Sequence, residues 1–178
     1  AWCFKEYTFF EAVDKTAELG LPFIEAFQGQ KIAPDIDAVM DASMPGDVVN
    51  RLKEKLNQKG ITLTSIYIHR LPGEENECRK VFEFCRQLNL ETIVSEPEPD
   101  DMDTIEKLCD EFGINAAIHN HAEGLSRYWS PQEAMKVCEG RSARIGVCAD
   151  TGHWQRSKLD PVEALKALEG RLISVHLK

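Results

Sequence analysis

Six short apolar, β-branched runs begin near residues 23, 61, 92, 115, 145 and 172, and a helical pattern lies between each run and the next. The starts are 38, 31, 23, 30 and 27 residues apart. A strand, a crossover helix and a parallel return need about 30 residues, so this is the arithmetic of repeated βαβ units. Consecutive parallel strands cannot be joined by a tight hairpin, which makes the helical crossovers obligatory. The runs are nearly all apolar, as strands covered by helices on both faces must be. The fold class is therefore α/β, either a doubly wound sheet or a (β/α)8 TIM barrel. No glycine-rich phosphate fingerprint follows the first strand, and this favours the barrel. With Ala1–Phe4 counted as a strand the total is seven, where a closed barrel has eight and about 250 residues. The expectation is a truncated (β/α)8 TIM barrel, one domain over 1–178 incomplete at both ends with its last βα unit missing. A seven-stranded sheet would carry two open edges, an association hazard, so a longer parent chain is expected.

Taken in order, Thr8 and Glu11 have the spacing of a capping box opening a helix that stops at Gly20. Phe23–Phe27 reads as a strand and Ile32–Pro45 as an irregular loop over a site. Helices are expected over Pro45–Lys59 (closed by Gly60), Glu74–Leu88, Asp101–Phe112 (stopped by Gly113), Pro131–Cys138 (capped by Ser130) and Pro161–Leu168 (capped by Asp160). Strands are expected over Ile61–Ile68, Thr92–Ser95, Ala116–Ile118, Ile145–Ala149 and Leu172–Leu177.

At 178 residues and 43% hydrophobic, the chain can bury a real core. A net charge of −9 would repel a phosphate backbone, so no nucleic-acid partner is expected. No apolar run approaches the roughly 20 residues of a membrane span, so no membrane partner is expected; a homo-oligomer is compatible with everything seen. The six cysteines are scattered without a C-x-x-C pair and read as buried free thiols. This suits a reducing compartment and a cytoplasmic protein, with a periplasmic one left open because the chain begins inside an apolar-aromatic stretch.

The polar residues carry the second message. Glu25, His69, Glu96, His119, His121, Asp150, His153 and His176 all fall at or just beyond the C-terminal ends of strands, and they include every histidine in the chain. In a barrel that face builds the active site, each strand contributing a residue. His119, Asp150 and His176 come from neighbouring strands and are of the types that ligate a divalent cation such as Mn, Zn, Co or Mg. Within His119-Asn120-His121 the two rings are expected to diverge at the strand end, so that only one points inward. Glu96, just ahead of Pro97 and Pro99, reads as a ligand, a base or the acid at the next helix N-terminus. His153 suits proton relay or a hydrogen bond to a substrate hydroxyl. Trp154 is placed to stack on a sugar ring and Arg156 to hold an anionic or hydroxylated group. Glu25, His69, His121 and Lys178 complete the substrate-binding set, with Trp2, Phe4, Tyr128 and Trp129 as candidate apolar wall.

The chain resembles the sugar phosphate isomerase/epimerase superfamily, the xylose isomerase-like TIM barrels. The matching stretches are Phe10–Gly20 with Phe23–Gln30, Ala117–His121, Ile145–Trp154 running on through Arg156-Ser157 and Asp160-Pro161-Val162, and Ser174–Lys178. The resemblance implies a divalent cation held by a Glu on strand five, an Asp on six, a His on seven and a Glu on eight. Asp150 and His176 match the second and third. His119 stands where relatives often read the Glu of Glu-Asn-His, which lowers the negative charge of the site; Glu96 on the neighbouring strand is a candidate to compensate. The implied activity is metal-dependent isomerisation or epimerisation of a sugar or keto-sugar, with proton abstraction beside a carbonyl through an enediolate. The alternatives are a lyase or dehydratase on a keto-sugar, a non-catalytic sugar-binding barrel and, less favoured by the charge, an apurinic-endonuclease-like hydrolase.

Overall fold

The computed structural model describes residues 2–178. Six parallel strands, β1 (Phe23–Phe27), β4 (Thr62–Tyr67), β5 (Thr92–Ser95), β6 (Asn115–His119), β7 (Ile145–Asp150) and β8 (Leu172–His176), form one sheet in that order. Helices α1 (Phe9–Glu18), α2 (Gly46–Lys59), α3 (Glu75–Gln87), α4 (Met102–Phe112), α5 (Pro131–Cys138), α6 (Thr151–Arg156) and α7 (Pro161–Lys166) fill the connections. The result is a curled half-barrel of TIM type. Central strands β5 and β7 are buried at every position, whereas the outermost pair, β1 and β8, are partly open, as strands with one neighbour must be. The curl brings those two together at the C-terminal face, where His176 Nε2 of β8 lies 2.9 Å from Glu25 Oε1 of β1.

Local chemistry sets the helix ends. The Thr8–Glu11 capping box opens α1, and Ser130 and Asp160 cap α5 and α7 through their side chains. Gly60 and Gly113 end α2 and α4 in the left-handed conformation, at φ 64° and 71°. On β7, a Cβ on Gly146 would lie 2.4 Å from the Arg171 carbonyl oxygen, so only glycine lets β8 approach there. All six cysteines are free and five are buried.

Two expectations are corrected. Trp2–Phe4 is a 3-10 turn, closed by Lys5 N–H to the Trp2 carbonyl at 3.1 Å, and the sheet has six strands rather than seven; Ala1 lies outside the described residues. Apolar composition needs a partner strand to become a strand, and here Trp2 instead packs edge-on against the Phe27 ring. Within 32–45 the chain forms an antiparallel hairpin, β2 (Lys31–Ala33) with β3 (Ile36–Val39), turned at Pro34-Asp35. Its strands are too short to show a period. After Asp150 the chain runs into the short helix α6, which Asp150 Oδ1 caps at the His153 N–H, 3.0 Å away.

Candidate active site and metal centre

The C-terminal ends of β5, β6, β7 and β8 converge on Asp150. Its side chain is fully buried, and its two oxygens have separate tasks. Oδ1 caps α6. Oδ2 pairs with the Lys178 ammonium at 2.6 Å and faces His119 Nε2 at 3.6 Å, His153 Nε2 at 3.8 Å and His176 Nδ1 at 3.8 Å. The imidazole distances exceed hydrogen-bond reach. They lie near the roughly 3.3–3.5 Å between ligand atoms that share a tetrahedral cation with ~2.0–2.1 Å bonds. His119, Asp150 and His176 offer three ligand atoms within 4.8 Å of one another. A buried anionic oxygen ringed by imidazole nitrogens and balanced here by an ammonium suits a cation, so the three residues fit the ion that the sequence anticipates.

Asp150 is held in place by Asn120, which donates from Nδ2 to the Asp150 carbonyl at 3.1 Å and accepts the Asp150 N–H at 2.7 Å. This two-way clamp ties the ends of β6 and β7. Gly152 leaves room for Lys178, whose Cβ would be 2.7 Å from a Cβ placed there.

A second cluster adjoins the first. Glu96 Oε1 lies 2.5 Å from His121 Nδ1 and 3.3 Å from His119 Nδ1, and accepts a hydrogen bond from Tyr67 Oη at 3.4 Å. Burial pushes the Glu96 carboxyl up, but hydrogen bonds from His119, His121 and Ser126 hold it well below the usual carboxylate range. Glu96 therefore stays ionised, and the helix-start reading for it is replaced, since Glu98 occupies the cap position of the following turn. The expected divergence of His119 and His121 is also corrected: both reach Glu96, with ring centroids 4.8 Å apart. Positions two apart along a strand share a face, so alternation brings these rings together.

The other anticipated residues divide. His153 is buried, and its Nδ1 receives the Arg156 guanidinium at 3.3 Å. Burial lowers its pKa to about 4 against the opposing pull of Asp150, so its ring is neutral near pH 7. Glu25 accepts from Ser65 Oγ at 2.7 Å and pairs with His176. His69 and Arg156 sit exposed at the rim, His69 with its Nδ1 3.3 Å from Tyr67 Oη. Trp154 is a correction: it is 0% exposed within the hydrophobic core and offers no ring face to a sugar. At helical spacing it is turned away from the His153 side of α6. Tyr128 is likewise buried, its hydroxyl donating to the Pro97 carbonyl at 2.6 Å and so fixing the segment beside Glu96. Tyr67, Asn120 and Ser65 were not anticipated as site residues. Tyr67 was findable as the residue two before His69, on the same strand face; Asn120 and Ser65 gave no signal beyond their neighbours.

His176 yields a pH prediction. Burial disfavours its imidazolium, but hydrogen bonds and charge from Cys148 and Glu25 outweigh that and raise its pKa to about 10 from 6.5. A raised value in the folded state contributes stability that is complete below about 6.5 and is lost as pH rises through about 10. The cation-free chain should show a urea midpoint falling over that window, and His176→Gln should flatten the fall. The same proton competes with a cation, so cation affinity should rise with pH.

Comparison with known proteins bears on this site. The model of the Xylose isomerase-like TIM barrel family matches residues 13–178. The chain belongs to that family. No curated protein matches it. Among solved structures, an uncharacterized protein from Parabacteroides distasonis ATCC 8503 superposes with TM-score 0.84 at 31% identity, covering 99% of this chain and 71% of that one. A D-psicose 3-epimerase solved in the presence of D-fructose gives 0.76 at 14% identity, covering 96% and 67%. Endonuclease IV from Thermus thermophilus gives 0.61 at 18%, covering 94% and 70%. The last two likenesses establish the fold alone. Among the described residues of this xylose isomerase-like barrel, no helix is long and apolar enough to cross a membrane.

Proposed function

We propose that the chain is a metal-dependent isomerase or epimerase of a sugar or keto-sugar. The observation that carries the reading is Asp150 Oδ2, a buried anionic oxygen faced by three imidazole nitrogens, with the Lys178 ammonium as its counter-charge in this structure. The sugar epimerase among its structural neighbours supports the substrate class. His119, Asp150 and His176 would hold the cation, which when bound supplies a Lewis acid for a carbonyl and its adjacent hydroxyl.

The remaining steps fall to the protein. Arginine only donates, so the Arg156 contact makes His153 Nδ1 an acceptor and leaves the proton on Nε2. His153 Nε2–H is then a donor to a substrate oxygen as negative charge develops there. His121 donates a hydrogen bond from Nδ1–H to ionised Glu96, which leaves Nε2 as the basic atom for the carbon-bound proton. Glu96 thus acts through His121 in proton transfer. The two rings lie 4.5 Å apart by centroid, close enough to address one substrate. Return of the proton to the same carbon is epimerisation, and return to its neighbour is isomerisation.

The test is solvent exchange. With Mn(II) or Co(II) added, ketoses incubated in deuterium oxide should take up deuterium at the carbon beside the carbonyl. A cation-loaded chain that exchanges no position of any ketose or keto-sugar would refute the assignment.

A further inference from the structure

Asp150 and Glu96 are both buried carboxylates, and their surroundings differ in kind. Asp150 Oδ2 faces three imidazole nitrogens at 3.6–3.8 Å and pairs only with the Lys178 ammonium at 2.6 Å, whereas Glu96 Oε1 has three neighbouring donors, His121 Nδ1, His119 Nδ1 and Tyr67 Oη, at 2.5, 3.3 and 3.4 Å. Glu96, His119 and His121 also group tightly enough to be read as a second cation site. The two nitrogens of His119 decide between these readings. Nε2 faces Asp150 and Nδ1 faces Glu96. A cation beside Asp150 and His176 needs the Nε2 lone pair, which puts the ring proton on Nδ1. A protonated Nδ1 cannot ligate, and it needs an acceptor in a pocket where His119 is 4% exposed. Glu96 is that acceptor.

We propose that Glu96 is a positioning residue for the cation site: its carboxylate fixes the tautomer and tilt of His119 so that Nε2 is presented to the ion beside Asp150. Tyr67 supports the same orientation from the side, its ring edge-to-face with His119 at 5.3 Å. A carboxylate behind an imidazole raises the basicity of the ligating nitrogen as well as aiming it. This deepens the metal reading above and rests on it.

The experiment is Co(II) titration followed by calorimetry and visible absorption, on the wild-type chain and on Glu96→Gln. Gln keeps the size and removes the charge. The expected result is one equivalent bound by wild type, with affinity reduced about 10–100-fold in E96Q and a changed absorption band. Unchanged affinity and spectrum in E96Q overturn the proposal while leaving the cation site standing. Two equivalents in wild type falling to one in E96Q also overturn it, since Glu96 is then itself a ligand. No binding by wild type overturns both this and the metal reading. Should E96Q fail to fold, nitrogen-15 NMR of the zinc-loaded wild type decides: His119 protonated on Nδ1 supports the proposal, and His119 bound through Nδ1 refutes it.

Discussion

Asp150→Asn should weaken divalent-cation binding by more than about 100-fold, beyond the roughly 10–100-fold typical of changes one shell further out. The substitution keeps the shape and the α6 cap, because the Asn carbonyl oxygen can still accept the His153 N–H as Oδ1 does at 3.0 Å. What it removes is the charge on Oδ2, the one anionic oxygen that faces His119, His153 and His176 together. An amide nitrogen there would present hydrogens to three imidazoles and lack a lone pair for an ion. The check is a thermal-shift series with Mn(II), Co(II) and Zn(II). At a hundredfold excess over Kd the wild type should gain about 2.7 kcal/mol, and D150N at the same concentration no more than about 0.4 kcal/mol, while showing the same circular dichroism. Retained cation stabilisation in D150N would mean that the ion, if bound, sits elsewhere.

Trp154→Ala should cost about 3–5 kcal/mol of stability, the range for emptying a large aromatic site in a core. Trp154 heads the fully buried side chains of the chain by volume, so little can collapse into the void without moving α6. Trp154→Phe should cost distinctly less than W154A. It fills most of the space, and it removes an indole N–H that has no acceptor among the described residues. Urea unfolding of both variants measures this. A W154A chain of nearly wild-type stability whose sugar affinity collapses would restore a substrate-stacking role for Trp154 and contradict the packing seen here.

The residues that were legible in advance share one property: local spacing determines them. The βαβ intervals, the capping residues Thr8, Ser130 and Asp160, and the helix-ending Gly60 and Gly113 act through their near neighbours in the chain, so they could be placed from the string of residues. Crowding of histidines at strand ends was visible for the same reason, because a strand end is a local feature. Trp154 shows the limit. Its position after His153 suggested a shared cavity, but successive residues of a helix point about 100° apart, and once α6 forms the two face opposite surroundings. Asn120 shows the converse, a residue with no distinguishing neighbours that clamps Asp150 across 30 positions of sequence.

The order of amino acids alone therefore determined the α/β class, the alternation of parallel strands with helices and the face on which the polar residues collect, since each follows from periodicity and from caps a few residues apart. Tertiary structure alone decided which groups touch: that Glu96 faces two imidazoles, that Asp150 divides its oxygens between a helix cap and a ring of three imidazoles with Lys178, and that β1 and β8 meet through Glu25 and His176. Those contacts depend on the curl of the sheet and the register between strands. Both are set by packing summed over the whole core, to which no single stretch of sequence is a sufficient guide.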